Sequence, residues 1–254
     1  MPTGSHPVKN RYGIECAYRV TQPHEIGLFP ADFLQVSVFR RWPNALDTML
    51  KTVDACRSAN IRYVIHPVEY GLCELRPERR KIIMDDLRTM ALHADLALII
   101  HDESMHGGKR LAGEAADAYR QNLLELSRLC LVSIENAGAN KDITWFWREY
   151  AGSITLDIGH LEVAGIDSTE FVRALEPDLL QVIDFVHIHR VNGLRGGIRD
   201  HWGLTEDCRE LQALKELLAR KKGLRVILEI IEAEDLGSSL NLLRSLSSRQ
   251  ITHR

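Results

Sequence analysis

Hydrophobic residues in this chain follow two alternating rhythms. Short β-branched and aliphatic runs recur at 12–19 (YGIECAYR), 33–39 (FLQVSVF), 62–68 (RYVIHPV), 96–102 (LALIIHD), 131–137 (LVSIENA), 153–159 (SITLDIG), 185–191 (FVHIHRV) and 225–231 (RVILEII). Continuous apolar runs of this length are what strands buried on both faces of a parallel sheet require. Between them the period lengthens to that of a helix. The segment PNALDTMLKTVDACRSAN opens on Pro43, spaces Leu46, Met49, Leu50 and Val53 at i, i+3, i+4 and i+7, and ends at Asn60. TEDCRELQALKELLARKKG gathers Thr and acids at its start, stripes Leu211, Leu214, Leu217 and Leu218, and closes on basic residues and Gly223. The same pattern predicts helices at 77–93, 113–130, 169–182 and 236–248.

Eight strands alternating with helices over 254 residues predict one α/β domain, a (β/α)8 TIM barrel spanning 1–254. The stretch TQPHEIGLFPAD leaves room after the first strand for a short helix or none, and NKDITWFWREYAG after the fifth is only a little longer. A doubly wound open sheet would show a similar alternation, but no glycine-rich phosphate fingerprint follows the first strand. A composition 45% hydrophobic and 26% charged is that of a globular chain and not of a disordered one. The net charge of −3 gives no global reason to bind nucleic acid or an anionic membrane. No apolar run is long enough to span a bilayer. The 5 cysteines are odd in number, scattered and free of any CxxC pair, which points away from disulfides and towards a reducing compartment. With no signal-like apolar segment near Met1, the expected location is the cytoplasm.

Chemistry enters at the strand ends. From the third strand to the eighth, each finishes on an imidazole or a carboxylate: His66, His101, Glu135, Asp157 with His160 just beyond, His187 with His189, and Glu229. In a barrel these ends converge on one mouth. A single strand-end histidine is ordinarily structural, but a buried carboxylate without a partner is too costly to stand alone. A set of imidazoles and carboxylates with no thiolate suits a divalent metal such as Mn, Mg, Co or Zn. Asp157 and His160 stand at i, i+3, and His187 and His189 share one strand face, so both pairs can serve one site.

IENAG after the fifth strand, LDIGH after the sixth, VHIHRVNG followed by DHWGL after the seventh, and ILEI at the eighth resemble the xylose-isomerase-like TIM barrel superfamily, which includes sugar phosphate isomerases and epimerases and the endonuclease IV family. The resemblance implies a metal held by Glu135, Asp157, His187 and Glu229. It also implies proton transfer between adjacent carbons of a small sugar, sugar phosphate or polyol by Glu135 and Glu229, with His160 polarising a substrate oxygen. The family register prefers His187 as the primary ligand and leaves His189 a supporting or substrate contact, while the alternative register, with Arg195 six residues after His189, reverses that choice. Arg195 in the GLRGG loop is a candidate for a distal phosphate or hydroxyl.

The endonuclease IV branch implies a three-zinc cluster with further histidines after the third and fourth strands and an Asp and a His after the seventh. The matching residues are His66, His101, Asp200 and His201, although Asp200 and His201 are adjacent where that family separates the pair by one residue. Short or acidic loops after the early strands (PVEYGLCELRPE) weigh against an enzyme that bends DNA. The expected order is therefore a metal-dependent isomerase or epimerase of a small carbohydrate, then a multi-zinc phosphodiesterase, then a barrel keeping the metal only for binding or structure. One ion on four residues fits the first, and three ions drawing in His66, His101 and His201 fit the second. Trp145 and Trp147, two apart on a short predicted helix, cannot both face one core, which makes a homo-oligomer contact a candidate for one of them.

Overall fold

The computed structural model describes residues 13–138, 140–192 and 199–248. Its strands are β1 (Glu15–Val20), β2 (Phe33–Phe39), β3 (Tyr63–Val68), β4 (Leu98–His101), β5 (Val132–Glu135), β6 (Ile154–Asp157), β7 (Ile183–Ile188), a hairpin of β8 (Arg190–Asn192) and β9 (Arg199–Trp202), and β10 (Arg225–Leu228). Leaving out the hairpin, the strands close into a parallel barrel in the order β1-β10-β7-β6-β5-β4-β3-β2. Around it lie α1 (Ala45–Ser58), α2 (Pro77–His93), α3 (Gly113–Ser127), α4 (Ile143–Tyr150), α5 (Ile158–Val163), α6 (Ser168–Ala174), α7 (Pro177–Gln181), α8 (Arg209–Arg220) and α9 (Ala233–Ser248). The chain is a TIM barrel, and the helix after β1 is reduced to one 3-10 turn at Pro23–Glu25.

The apolar periods bury the faces expected of them. On α1 the buried positions are Met49, Thr52, Val53 and Cys56, and on α8 they include Leu211, Leu214, Leu217 and Leu218. Each large apolar side chain among them contributes about 1.5–3 kcal/mol by leaving water. Trp147 lies in the same core, whereas Trp145 is partly buried under the Arg110 guanidinium, 4.6 Å from its ring centre.

Several boundaries differ from the sequence expectation, three of them for a clear local reason. The helix expected at 169–182 is two helices, because Pro177 has no N–H to donate and holds Glu176 extended (φ −74°, ψ 153°). The sixth strand stops at Asp157 because its carboxylate caps α5 by accepting the His160 N–H at 2.7 Å. The run 185–191 leaves the barrel after Ile188, and Arg190–Asn192 pairs antiparallel with Arg199–Trp202 instead.

Strand alternation sorts the barrel interior into layers. Ala17, Phe33, Val64, Ala97, Ile99, Phe185 and Ile227 form an apolar floor. Above it the lining turns polar: the Ser133 and Thr155 hydroxyls bond at 2.7 Å, and higher still come the imidazoles and carboxylates. A closed apolar plug therefore forms the base of a polar cup.

Candidate metal centre

Strand register sets the ring of donors. His101 is the Cα partner of Glu135, and Asp157 is the partner of His187, so two pairs stand level across neighbouring strands. Asn136 locks the β5 and β6 ends together: its Nδ2 donates to the Asp157 carbonyl and its Oδ1 accepts the Asp157 N–H, both at 2.8 Å. Glu135, Asp157, His187 and His189 are wholly buried, and His66 and Glu229 nearly so. At the upper rim His160, His101 and His201 keep part of their side chains in solvent.

Three histidines are aimed by backbone carbonyls. The Nδ1–H of His66 donates to Ile99 O at 3.0 Å, that of His160 to Asn136 O at 2.9 Å and that of His201 to Glu229 O at 2.7 Å. Each bond fixes the tautomer with a lone pair on Nε2, the arrangement that readies an imidazole to bind a cation. His201 holds its orientation from a left-handed backbone (φ 61°), a conformation that costs a non-glycine residue on the order of 1 kcal/mol. Gly159 makes room for His189, since a Cβ there would lie 2.2 Å from the His189 Nε2.

The donors form overlapping groups. His66, His101 and Glu135 converge, as do Glu135, Asp157 and His160; Asp157, His187 and Glu229; and His189, His201 and Glu229, each group with its ligand atoms within 4.8 Å of one another. Glu135 Oε2 lies 3.5 Å from His66 Nε2, 3.8 Å from His101 Nε2 and 3.1 Å from His187 Nδ1, while Glu135 Oε1 lies 3.4 Å from His160 Nδ1. The separations to His66, His101 and His187 lie around the edge of a tetrahedron of ligands about 2.1 Å from a central cation, roughly 3.4 Å, whereas the His160 Nδ1 is committed to the Asn136 carbonyl. Both Glu135 oxygens, Asp157 Oδ2 and both ring nitrogens of His187 and His189 lack a hydrogen bond of normal geometry among the described residues. Buried atoms of this kind require a partner, and divalent cations fit the donor set.

The electrostatics divide the ring. Burial lowers His66, His101 and His189 below the usual imidazole range, His101 to about 4. Burial also opposes charge on His187 and His160, but carboxylates overcome it: Glu135 and Glu229 push His187 up to about 9, and Asp157 and Glu135 hold His160 well above its ordinary value. Against their own burial, Glu135 and Glu229 are held below the carboxylate range chiefly by His187. Burial raises Asp157 to about 7.

Of the residues singled out in the sequence, His66, His101, Glu135, Asp157, His160, His187, His189, His201 and Glu229 meet at the mouth. Asp200 joins none of these groups; its carboxylate is 39% exposed and reaches only 3.9 Å from the Nε2 of its neighbour His201. Arg195 lies outside the described residues. Sequence reasoning missed Gln35, whose Nε2 donates to Glu229 Oε1 and, at 3.2 Å, to Ser37 Oγ. It also missed Asp102, which accepts the Ala137 N–H at 2.8 Å and is pushed up to about 7 by burial. The signal for Gln35 was a pair of polar residues at alternate positions of an apolar strand, Gln35 and Ser37, set among Leu34, Val36 and Val38.

No protein-family model matches the chain, and no curated protein matches it. Solved structures do. The TTHB071 protein from Thermus thermophilus, soaked with ZnCl2, aligns with a TM-score of 0.63 at 18% identity over 94% of this chain and 100% of that one. Endonuclease IV from the same organism aligns at 0.60 and 16% identity over 91% and 98%. D-psicose 3-epimerase with D-tagatose from Clostridium cellulolyticum H10 aligns at 0.56 and 11% identity over 92% and 100%. At these identities the likeness is one of architecture: the chain shares the TIM-barrel fold of these proteins.

Proposed function

We propose that this protein is a hydrolase of small phosphodiesters whose centre takes more than one divalent cation. The observation that carries the reading is the meeting of His66 and His101 at Glu135, beside the separate group of Asp157, His187 and Glu229. Proton transfer between carbons needs only the second group together with Glu135 and leaves the inward-facing imidazoles of His66 and His101 without a task. A shared carboxylate between two such groups is what neighbouring cations demand. In this reading His66, His101 and Glu135 would hold one ion, and Asp157, His187 and Glu229 would hold a second. His189, His201 and Glu229 offer a further position. Bound there, the cations would supply Lewis acidity, lowering the pKa of water and offsetting phosphate charge.

The protein's own part is to fix the donors before substrate arrives. The carbonyl-anchored rings of His66, His160 and His201 and the Asn136 clamp do that without further ordering. His160, partly exposed and held strongly basic by Asp157 and Glu135, is placed to hold a proton near a leaving oxygen. The net charge of −3 favours a small ester over a nucleic-acid duplex. Likeness to the fold of an endonuclease IV supports the same class.

A second reading, a metal-dependent isomerase or epimerase of a small sugar or sugar phosphate, is favoured by one feature. Glu135 and Glu229 flank His187, at 3.1 and 3.9 Å from its Nδ1, as a pair of acid–base carboxylates would. The two readings separate on the purified, metal-replete protein. The hydrolase reading expects two or more ions per chain and cleavage of bis(p-nitrophenyl) phosphate that a chelator abolishes. One ion per chain, with solvent deuterium entering a sugar or sugar phosphate and no ester cleavage, would overturn it.

A further inference from the structure

An arginine that the metal groups do not use faces into the same cup. Arg19 sits on β1 between Tyr18 and Val20, whose side chains pack outward in the main core, and it shares the inward parity of Ala17 on the apolar floor. Its Cα partner on β2 is Gln35. On the other side Leu228 pairs with Tyr18, which brings Glu229, the next residue, to the level of Arg19. Gln35 and Glu229 hydrogen-bond to each other, so the base of the Arg19 side chain is flanked by both. Its positive charge reaches Glu229, and it is one of the groups holding that carboxyl low.

Arg19, like Arg40 and Arg190, has no carboxylate fork partner among the described residues. Arg41 pairs with Glu69, Arg110 with Asp142 and Arg225 with Glu15. Among the described residues Arg19 makes no hydrogen bond and no ion pair within 4.0 Å, although it is only partly exposed and rises from a rigid barrel strand. A guanidinium carries five N–H donors in a planar fork that matches two oxygens of a phosphate. Leaving such a group partly desolvated and unpaired is unfavourable unless a ligand completes it.

We propose that Arg19 is the phosphate contact of the substrate site, forking onto non-bridging oxygens on the β1 side of the mouth beside Glu229. The inference rests on the reading of the centre as one that acts on phosphate esters. It deepens that reading by making a phosphate oxygen the group the site selects, at a place set by a strand and not by a loop. It also assigns the anion contact to a residue on a different strand from the one that leads into the GLRGG segment.

Inorganic phosphate is the probe, titrated calorimetrically into metal-replete wild type, Arg19→Gln and Arg19→Lys, with metal content measured on the same samples. Loss of a charge-assisted fork predicts a roughly 10- to 100-fold weaker phosphate affinity in Arg19→Gln. Arg19→Lys should recover part of it, since it restores the charge and not the fork, and all three proteins should hold the same number of ions. Phosphate binding by Arg19→Gln within about twofold of wild type overturns the inference. So does a wild type that binds no phosphate, or loss of metal ions in Arg19→Gln, which would make Arg19 a partner of Glu229 only. If wild type cleaves no phosphodiester while Arg19→Gln still loses phosphate selectively, the hydrolase reading falls and the anion contact stands.

Discussion

His66→Ala separates a multinuclear centre from a mononuclear one. The His66 ring is 3% exposed, packs edge-on to His101 at 4.9 Å and His187 at 5.4 Å, and donates to Ile99 O. Truncation removes one donor of the His66, His101 and Glu135 group and none of the donors Asp157, His187 and Glu229. A structural zinc site of four ligands is worth about 10–16 kcal/mol, or roughly 2.5–4 kcal/mol for each ligand, so one lost donor should weaken that ion by about 10²–10³-fold. The fold should survive, because emptying a buried ring costs about 2–4 kcal/mol against a domain stability of about 5–15 kcal/mol. The assay is metal analysis after dialysis against a chelator of intermediate strength, with a thermal melt and the rate of ester cleavage on the same samples. One ion fewer per chain, a modest drop in melting temperature and near-complete loss of cleavage are expected. If His66→Ala keeps every ion and the wild-type rate, His66 is a packed core histidine and the multinuclear reading is wrong.

Further expectations follow from individual contacts. Gly159→Ala should push His189 out of place, because the new Cβ would meet its ring, and should lower metal content while leaving the far-UV circular dichroism unchanged; full occupancy would show that the ring can yield. Metal uptake should release protons at neutral pH. The metal-free protein carries a proton on His187, raised to about 9, and in part on Asp157, raised to about 7 by burial, and an ion must displace them. Affinity should therefore rise with pH between about 6 and 8, and calorimetry in buffers of different ionisation enthalpy measures the proton count; an affinity independent of pH would contradict the assignment. Leu214→Ala on the buried face of α8 should cost about 2–5 kcal/mol in urea unfolding without changing metal content, since it lies in the outer core and not in the cup.

The barrel was legible because its two periods are physical. Strands buried on both faces need unbroken apolar runs, and the helices covering them need an i, i+3, i+4 stripe, so β2 at Phe33–Phe39 coincides with the run read from the sequence. The strand-end donors were legible for the same reason, since an acid or imidazole closing an apolar run in a barrel has only the mouth to face. Features that depend on registration between strands were not legible. Nothing in FVHIHRVNG says that pairing passes from β10 to a local hairpin after Ile188, which is the step that carries His201 to the Glu229 carbonyl and turns Asp200 towards solvent. Gln35 and Arg19 escaped notice because their inward parity acquires meaning only once β1, β2 and β10 are known to be neighbours. Pro177 was a visible stop inside an otherwise helical pattern, and reading through it gave up a break that backbone chemistry requires.

The charge balance of the cup decides what kind of site it is. Glu135, Asp157 and Glu229 bring three buried carboxyl groups together, and such a cluster persists only if positive charge enters it. A structural ion-pair network would supply arginine or lysine at hydrogen-bond distance; here the near neighbours of Glu135 are His66, His101, His160 and His187, mostly at 3.4–3.8 Å. Without cations the cluster recruits protons instead: burial raises Asp157 to about 7, and Glu135 and Glu229 push His187 up to about 9 against its burial, whereas burial lowers His101 to about 4. Protons are a poor filling for that geometry, because a proton binds two atoms closer than about 3.2 Å and leaves the remaining lone pairs unsatisfied. A divalent cation accepts four or more lone pairs at once and draws the same atoms to the edges of one polyhedron. His66 and His101 present their Nε2 atoms at 3.5 and 3.8 Å from Glu135 Oε2, a spacing that suits the second filling, and two such fillings sharing Glu135 would be the arrangement on which the proposed phosphate chemistry is built.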